Sequence, residues 1–372
     1  MHCRLECFCL LSAGLIGLPM VGKTTIFNLV TNAGAQTSKF LSGKADTNVS
    51  MAGVPDRRID FLSALYKPRK TIYAQVKFSD VPGLVRGASQ GKGVGNAFLD
   101  GIRQADLLVH VVRAFDNPDV LHVEGSINPL RDVETIDLEL LLADMDFVEK
   151  RIQRIEGGKK VTRENASELE LMKKILAGLE NEIPLRSIEL SGEEKDMLLN
   201  YSFFTDKPLI LVVNTDEDQF RAGDYPGKKE LADLAVSRGI GLIELCGLME
   251  MEISQLPPED RDMFMADLGI DSLGSERLAQ AVYNSLGLIS FFTVGEDEVR
   301  AWTIDRGTDA RKAAGKIHSD IERGFIRAEV AGYKDMAELQ SMAKLKEKGL
   351  ARLEGKEYLV QDGDIINFRF NI

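Results

Sequence analysis

The chain of 372 residues contains only four cysteines and one tryptophan. Three of the cysteines, Cys3, Cys7 and Cys9, lie close together, but no run of histidine or cysteine partners follows them. We therefore expect buried or idle thiols in a reducing, cytoplasmic compartment rather than a metal cluster. No segment approaches the roughly 18 consecutive apolar residues of a membrane-spanning helix, so we expect no membrane span.

Positive charge is also in deficit, because 46 Lys and Arg residues stand against 58 Asp and Glu residues, a net charge of −12. This balance argues against a general nucleic-acid coat but allows a local basic face. Basic residues cluster at 67–70 and between 344 and 356. These clusters are candidate contacts for an RNA backbone, and acidic neighbours such as Glu347 and Glu354 favour a solvated charged surface equally.

The most informative run is G-L-P-M-V-G-K-T at residues 17–24, which fits the phosphate-binding loop G-x-x-x-x-G-K-[ST]. Apolar residues predict a buried strand before it and one face of a helix after it. Backbone N–H groups of the loop and the helix then converge on the β-phosphate. We expect Lys23 to reach the β- and γ-phosphates and the Thr24 hydroxyl to bind Mg²⁺. The predicted loop contacts are Pro19, Met20, Val21, Gly22, Lys23, Thr24 and Thr25.

A second motif, D-x-x-G at residues 80–83, follows a predicted strand. Asp80 is expected to hold Mg²⁺ through water, and the Gly83 N–H to meet the γ-phosphate and move when that phosphate leaves. The next residue is Leu84, where Ras-like enzymes have the glutamine that orients the attacking water. Hydrolysis is therefore either very slow or dependent on another group.

The segment that should read the base follows a predicted strand at 209–213 and has the sequence N-T-D-E at residues 214–217. Guanine-specific proteins of this class use N-K-x-D, in which the aspartate accepts two hydrogen bonds from guanine. Thr215 replaces the lysine and Glu217 replaces the aspartate, so guanine discrimination is weakened. Asn214 and Glu217 remain the candidate base contacts, and the pattern favours ATP.

The order of predicted elements gives an α/β fold class with a P-loop G-domain-like parallel sheet. This nucleotide-binding domain is predicted at 1–130 and 200–287. Apolar residues at three- and four-residue steps, broken at Gly157, predict an antiparallel coiled-coil hairpin inserted at 131–199. Short strands around one helix at 310–322 predict a small mixed β/α domain at 288–372.

These motifs resemble the Obg-like ATPases, the YchF/OLA1 group of TRAFAC-class P-loop proteins. The likeness covers nearly the whole chain and joins several specific runs in one order. Its runs lie at 17–25, 80–89, 93–96, 214–217, 299–304, 314–320, 324–328 and 362–368.

The resemblance implies a C-terminal TGS domain, which is a ubiquitin-like β-grasp module, and ATP with Mg²⁺ preferred over GTP. It also implies that His110 takes part in hydrolysis with Lys23, although a histidine inside an apolar strand is as readily a core residue. Met20 stands where the family has an asparagine that helps bind a monovalent cation, which leaves potassium stimulation open. Lys44 stands where the family has a threonine that completes Mg²⁺ coordination, and the nearby Thr47 is the alternative ligand.

The motifs predict an ATP-hydrolysing switch, and the resemblance implies that it associates with the ribosome. We also expect a monomer that does not contact membranes. Water attacks the γ-phosphoryl group, and the loops released by hydrolysis report the nucleotide state. Two alternatives stay open: a GTPase of the same class, and a nucleotide-gated RNA- or ribosome-binding module with negligible hydrolysis.

Overall fold

The structure, a computed structural model, describes residues 11–32, 48–81, 94–158 and 163–371. Contacts between these residues form two units, which are considered separately. The first unit contains described residues up to 50 and from 77 to 278, and the second contains 51–76 and 279–371. The strands of the described residues are β1 Ser12–Ile16, β2 Asn48–Gly53, β3 Lys70–Ile72, β4 Gln75–Asp80, β5 Leu107–Arg113, β6 Leu209–Asn214, β7 Gly241–Leu245, β8 Leu288–Val294, β9 Glu298–Asp305, β10 Phe325–Gly332, β11 Arg352–Glu354 and β12 Asp364–Phe370.

Helices surround both sheets. In the described part of the chain they are α1 Lys23–Asn32, α2 Arg57–Tyr66, α3 Val94–Arg103, α4 Pro129–Glu156, α5 Arg163–Glu180, α6 Gly192–Leu198, α7 Glu217–Ala222, α8 Lys228–Arg238, α9 Gly247–Ser254, α10 Pro258–Asp267, α11 Gly274–Ser285, α12 Ala310–Ile317, α13 Ser319–Arg323, α14 Tyr333–Leu339 and α15 Met342–Glu347. None of these helices is long and apolar enough to cross a membrane.

The first sheet has the strand order β2-β4-β1-β5-β6-β7. Its inner strands pair in parallel, β1 with β4 and β5, and β6 with β5 and β7. Every residue of β5 and of β6 is buried, as expected for strands covered on both faces. The carboxyl ends of these strands therefore meet at one edge, where a ligand site is expected.

The predicted helical hairpin is present between β5 and β6. Helix α4 begins after Asn128, whose side chain accepts a hydrogen bond from the Arg131 N–H, and Pro129 occupies its first turn. The buried Asp144 carboxylate accepts hydrogen bonds from the N–H groups of Phe204 and Thr205, which ties α4 to the segment that leads into β6. The apolar seam between α4 and α5 consists of Leu141, Val148, Ile152, Leu171, Met172, Ile175 and Leu179.

The second unit is built on a mixed sheet with the order β11-β10-β12-β8-β9-β3. Helix α12 packs on it through Ala310, Ala313 and Ala314, which are fully buried. The sequence predicted one helix at 310–322, whereas the structure ends α12 at Ile317. The reason is that His318 adopts extended backbone and its Nδ1 accepts the Asp320 N–H at the start of α13.

The confirmed fold class is mixed α/β, with a G-domain-like sheet and a separate C-terminal domain. The structure differs from the predicted boundaries at residues 51–76, which group with the second unit although the end of β2 and the start of β4 belong to the first sheet. The physical reason is that β3 pairs in parallel with β9 and extends the second sheet by one strand. The predictions for Gly83, Leu84, Lys44 and Thr47 lie outside the described residues.

Candidate nucleotide-binding site

A cavity of about 650 Å³ opens at the carboxyl edge of the first sheet. It is lined by the phosphate loop after β1, by Asp80 at the end of β4, and by segments that follow β5, β6 and β7. The predicted site residues that line it are Pro19, Met20, Gly22, Lys23, Thr24, Thr25, Asp80, Asn214 and Glu217. The structure therefore brings the phosphate-binding, metal-binding and base-reading candidates to one place.

The phosphate loop requires glycine at two positions. Gly22 has φ +93°, and a Cβ there would lie 2.3 Å from Asn214 Nδ2. Gly17 has φ +147°, and its Cβ would lie 2.3 Å from the carbonyl oxygen of Val111. Met20 adopts φ +63° without being glycine, and its side chain is more than half exposed at the cavity. The loop is thus folded tightly against β5 and the end of β6.

Lys23, the first residue of α1, is buried within this loop. Its ammonium group donates hydrogen bonds to the carbonyl oxygens of Gly17, at 3.1 Å, and Leu18, at 2.7 Å. Burial lowers the pKa of Lys23 to about 8, and the nearby Asp80 carboxylate opposes that shift. The cation is therefore held beside the loop, close to where phosphate oxygens would bind.

Thr24 and Asp80 form the candidate Mg²⁺ site. The Thr24 hydroxyl donates a hydrogen bond of 2.8 Å to Asp80 Oδ2, so the two predicted metal-binding side chains are adjacent. Both offer oxygen, which Mg²⁺ prefers, and the ion usually takes its other ligands from phosphates and water. Among the described residues no group of three or more His, Cys, Asp or Glu side chains can hold a metal. Two oxygen ligands from this pair would leave the other positions on Mg²⁺ for phosphate oxygens and water.

Asn214 performs a bracing role that the sequence analysis did not anticipate. Its Nδ2 donates to the carbonyl oxygen of Val21 at 3.1 Å, and its Oδ1 accepts the Gly247 N–H at 3.0 Å. One buried side chain thus connects the phosphate loop to the segment that follows β7. Asn214 was predicted as a base contact, and the structure gives both of its polar atoms protein partners.

The base end of the cavity has neither the lysine nor the aspartate of N-K-x-D, which we call the guanine-reading pair. The Thr215 hydroxyl donates to the carbonyl oxygen of Leu245, and Glu217 forms an ion pair of 3.0 Å with Arg221 on the exposed face of α7. Residues 214–217 line the cavity together with further residues that the sequence analysis missed. They are Phe115, Asp116, Asn117, Val120, Cys246, Leu248, Met249 and Glu252. The sequence could have indicated them by their position in the segments that follow predicted strands, because ligands bind at the carboxyl ends of strands in this fold class.

His110 does not lie at the cavity. It occupies the middle of β5, opposite Ile16 and Leu211 on the neighbouring strands, and it is 1% exposed. Neither ring nitrogen has a hydrogen-bond partner among the described residues. Burial lowers the pKa of His110 to about 4, so the ring is neutral near pH 7. These properties are those of a packed core residue.

Another histidine, His122, lies two residues beyond Val120, which lines the cavity. Its Nε2 is 2.9 Å from the carboxylate of the buried Asp132, and its Nδ1 accepts the Glu124 N–H. Arg131 also contacts that carboxylate. His122 was not singled out from the sequence because it falls in a polar loop without a recognised motif.

A phosphate loop before α1, an adjacent Thr–Asp pair and a base pocket at the ends of parallel strands define a P-loop nucleotide-binding protein of the G-domain class. Two family models match the chain, and the first of them agrees with this class. The family described as 50S ribosome-binding GTPase matches residues 12–144, and the C-terminal domain of the YchF GTPases matches residues 288–371.

Individual relatives extend the likeness over the chain. Ribosome-binding ATPase YchF of Bacillus subtilis is 44% identical over 97% of this chain and 100% of its own length. The Pasteurella multocida protein of the same name is 43% identical over 96% of this chain and 99% of its own. The solved structure of the Schizosaccharomyces pombe YchF GTPase matches with a TM-score of 0.85 at 32% identity, covering 96% of this chain and 97% of that one. This chain belongs to the YchF family.

Proposed function

We propose that this protein binds ATP with Mg²⁺, hydrolyses it and associates with the ribosome. The observation that carries the proposal is the single cavity at which the phosphate loop, Asp80 and residues 214–217 meet. Its volume of about 650 Å³ is that of a small-molecule site. The relatives in the YchF family that share its whole length are named ribosome-binding ATPases.

The preference for ATP rests on the base end of the cavity. A guanine-specific site needs a carboxylate that accepts hydrogen bonds from the base, but Glu217 is paired with Arg221 and largely exposed. A site without that carboxylate leaves guanine donors unpaired, whereas adenine has no 2-amino group to satisfy. The absence of the lysine and aspartate of N-K-x-D therefore costs GTP more binding free energy than it costs ATP.

At the phosphate end, Lys23 would exchange its two carbonyl contacts for phosphate oxygens and stabilise the charge on the γ-phosphoryl group as water attacks. Thr24 and Asp80 are the residues that would hold Mg²⁺. When bound, this ion neutralises charge that develops on the β- and γ-oxygens. The role of Gly83 as a sensor of the γ-phosphate remains a prediction.

The group that orients the attacking water is the open part of the proposal. A catalytic role for His110 stays a prediction, since its burial in β5 equally supports a packing role. His122 is the second candidate because its loop contributes Val120 to the cavity. Phosphate release from ATP should be measured for His110→Leu and His122→Asn beside the unchanged protein.

Each outcome assigns the role. Loss of release in His110→Leu alone, with ATP binding retained, supports His110. Loss in His122→Asn alone moves the role to His122. Full activity in both variants contradicts histidine-assisted hydrolysis.

Ribosome association is tested by pelleting the protein with purified ribosomes at several salt concentrations, with ATP, with ADP and without nucleotide. A switch predicts that the bound fraction depends on the nucleotide. Binding that ignores the nucleotide and weakens steeply with salt would instead support the RNA- or ribosome-binding module in which hydrolysis is incidental. Failure to pellet under any of these conditions would contradict the association.

A further inference from the structure

Arg113, the last residue of β5, is buried at 1% exposure. Its guanidinium donates hydrogen bonds to three carbonyl oxygens of the loop that follows: Nε to Phe115 at 3.0 Å, Nη1 to Val120 at 2.9 Å and Nη2 to Asn117 at 3.3 Å. The same group stacks over the Phe115 ring, 4.3 Å from its centroid. One side chain therefore fixes three points of a six-residue turn.

Those three contacted residues all line the nucleotide cavity, on the wall next to the base-reading segment. The loop is also fastened from its other side. The N–H groups of Ala114 and Phe115 donate to the Asn214 carbonyl oxygen, and Gln219 Nε2 donates to the Ala114 carbonyl oxygen. The Asp116 N–H also donates to Asp216 Oδ2 at 3.3 Å. With Arg113 removed, residues 117–120 would keep the loop's own hydrogen bonds, from the N–H groups of Asp119 and Val120 to Asn117.

Only arginine meets this geometry. Its planar group presents five N–H donors in a fixed fork, whereas lysine is a point charge on a flexible stem. Burying a cation with carbonyl oxygens as its hydrogen-bond acceptors costs free energy that an apolar residue would avoid. A side chain that served packing alone would not require this cost.

We infer that Arg113 is a positioning residue for the base side of the nucleotide site: it holds Phe115, Asn117 and Val120 in the wall against which the base of the nucleotide binds. It acts through the loop and does not touch the reacting phosphate. This inference rests on the proposed binding of ATP at the cavity. It predicts that the loss of Arg113 weakens binding of the substrate and leaves the chemical step intact.

The test compares Arg113→Met, which keeps an unbranched apolar stem and removes the guanidinium fork, with Arg113→Lys, which keeps the charge. Asp119→Ala is the matched control, because Asp119 is exposed in the same loop and does not line the cavity. Two readouts are taken: kcat and KM for ATP, and hydrogen exchange of the amides of residues 114–122 in the nucleotide-free protein. The second readout is independent of the proposed function.

We expect Arg113→Met to raise KM about tenfold with kcat within about twofold, and to speed exchange in the loop. Arg113→Lys should raise KM less than Arg113→Met does, and Asp119→Ala should behave as the unchanged protein. Unaltered loop exchange in both Arg113 variants would overturn the inference, as would a fall in kcat with KM unchanged. If the unchanged protein binds no ATP but Arg113→Met still speeds exchange in the loop, Arg113 does position the loop. In that case the proposed function is the part that is wrong. Should Arg113→Met not fold, Arg113→Lys carries both readouts.

Discussion

At the scale of single residues, Lys23 has the most distinctive electrostatic state in the nucleotide site. It is buried against two carbonyl oxygens, and its pKa is lowered to about 8. A bound polyphosphate favours the charged ammonium, so the pKa of Lys23 is higher in the complex than in the free protein. Binding of ATP at pH values above about 8 must therefore be accompanied by uptake of a proton.

This linkage gives the first prediction. The affinity for ATP should fall as the pH rises above about 8, by up to about tenfold per pH unit, because free Lys23 becomes neutral there. Lys23→Arg, whose charge does not titrate in this range, should bind with an affinity that stays flat. Calorimetry in two buffers of different ionisation enthalpy measures the proton uptake directly. Equal pH dependence in both proteins would contradict the assignment.

The sequence predicted the motif residues of the site but not the contacts that hold distant segments together. Lys23, Thr24 and Asp80 were located from motifs because phosphate and Mg²⁺ binding demand particular residue types at fixed spacing. Asn214 was located correctly at the cavity, but its bonds to Val21 and Gly247 join segments far apart in the chain. Long-range bracing of this kind, like the contacts of Arg113, leaves no local pattern in a sequence.

At the scale of elements, the inserted hairpin depends on one buried carboxylate. Asp144 on α4 accepts two backbone N–H bonds and the Thr205 hydroxyl, at 2.7 to 3.0 Å. Burial raises the pKa of Asp144, while these hydrogen bonds lower it. The carboxylate supplies the partners that a buried turn otherwise lacks, so removing it leaves several donors unsatisfied.

We therefore expect Asp144→Ala to lower the free energy of unfolding by about 3 kcal/mol. Asp146→Ala is the matched control on the same helix, since Asp146 is 52% exposed and forms an ion pair with Lys150 one turn later. It should cost less than about 0.5 kcal/mol. Urea unfolding followed by circular dichroism compares the two variants. Similar losses would show that Asp144 does not anchor the hairpin.

Elements with strong periodicity were predictable for a physical reason. The strands β5 and β6 are apolar throughout because both of their faces are covered, and α4 and α5 show the spacing of a helical seam. The break at His318 was not, because it depends on one side chain capping the following helix. Caps of that kind compete closely with continued helix, so periodicity alone does not separate them.

At the scale of the whole molecule, the chain leaves the first sheet after β2, contributes α2 and β3 to the second unit, and returns through β4 to Asp80. Within the second unit, Arg58 on α2 binds both Asp56 and Asp362, each at 2.8 Å, and stacks over Phe292. Residues 51–76 were assigned to the first domain from the sequence because strand pairing between distant segments has no local signal.

The contacts of Arg58 lead to a prediction about the stability of the second unit. Arg58→Ala should lower the free energy of unfolding of the second unit by about 1–2 kcal/mol. The expected loss is kept small because Asp362 is 42% exposed and solvent screens its ion pair. Arg69→Ala should have little effect, because the Arg69–Asp297 pair is 86% exposed on both sides. Trp302 is the sole tryptophan of the chain, so its fluorescence during urea unfolding reports this unit alone. Equal effects of the two substitutions would show that the contacts of Arg58 do not stabilise α2 in the second unit.

The central claim is that the cavity prefers ATP because the guanine-reading pair is absent, and calorimetric titration tests it most directly. ATP and GTP, each with Mg²⁺, are titrated into the unchanged protein and into the double variant Thr215→Lys, Glu217→Asp. We predict tighter binding of ATP to the unchanged protein, and a shift of the ratio toward GTP by at least about tenfold in the double variant. Equal or tighter binding of GTP to the unchanged protein would contradict the account.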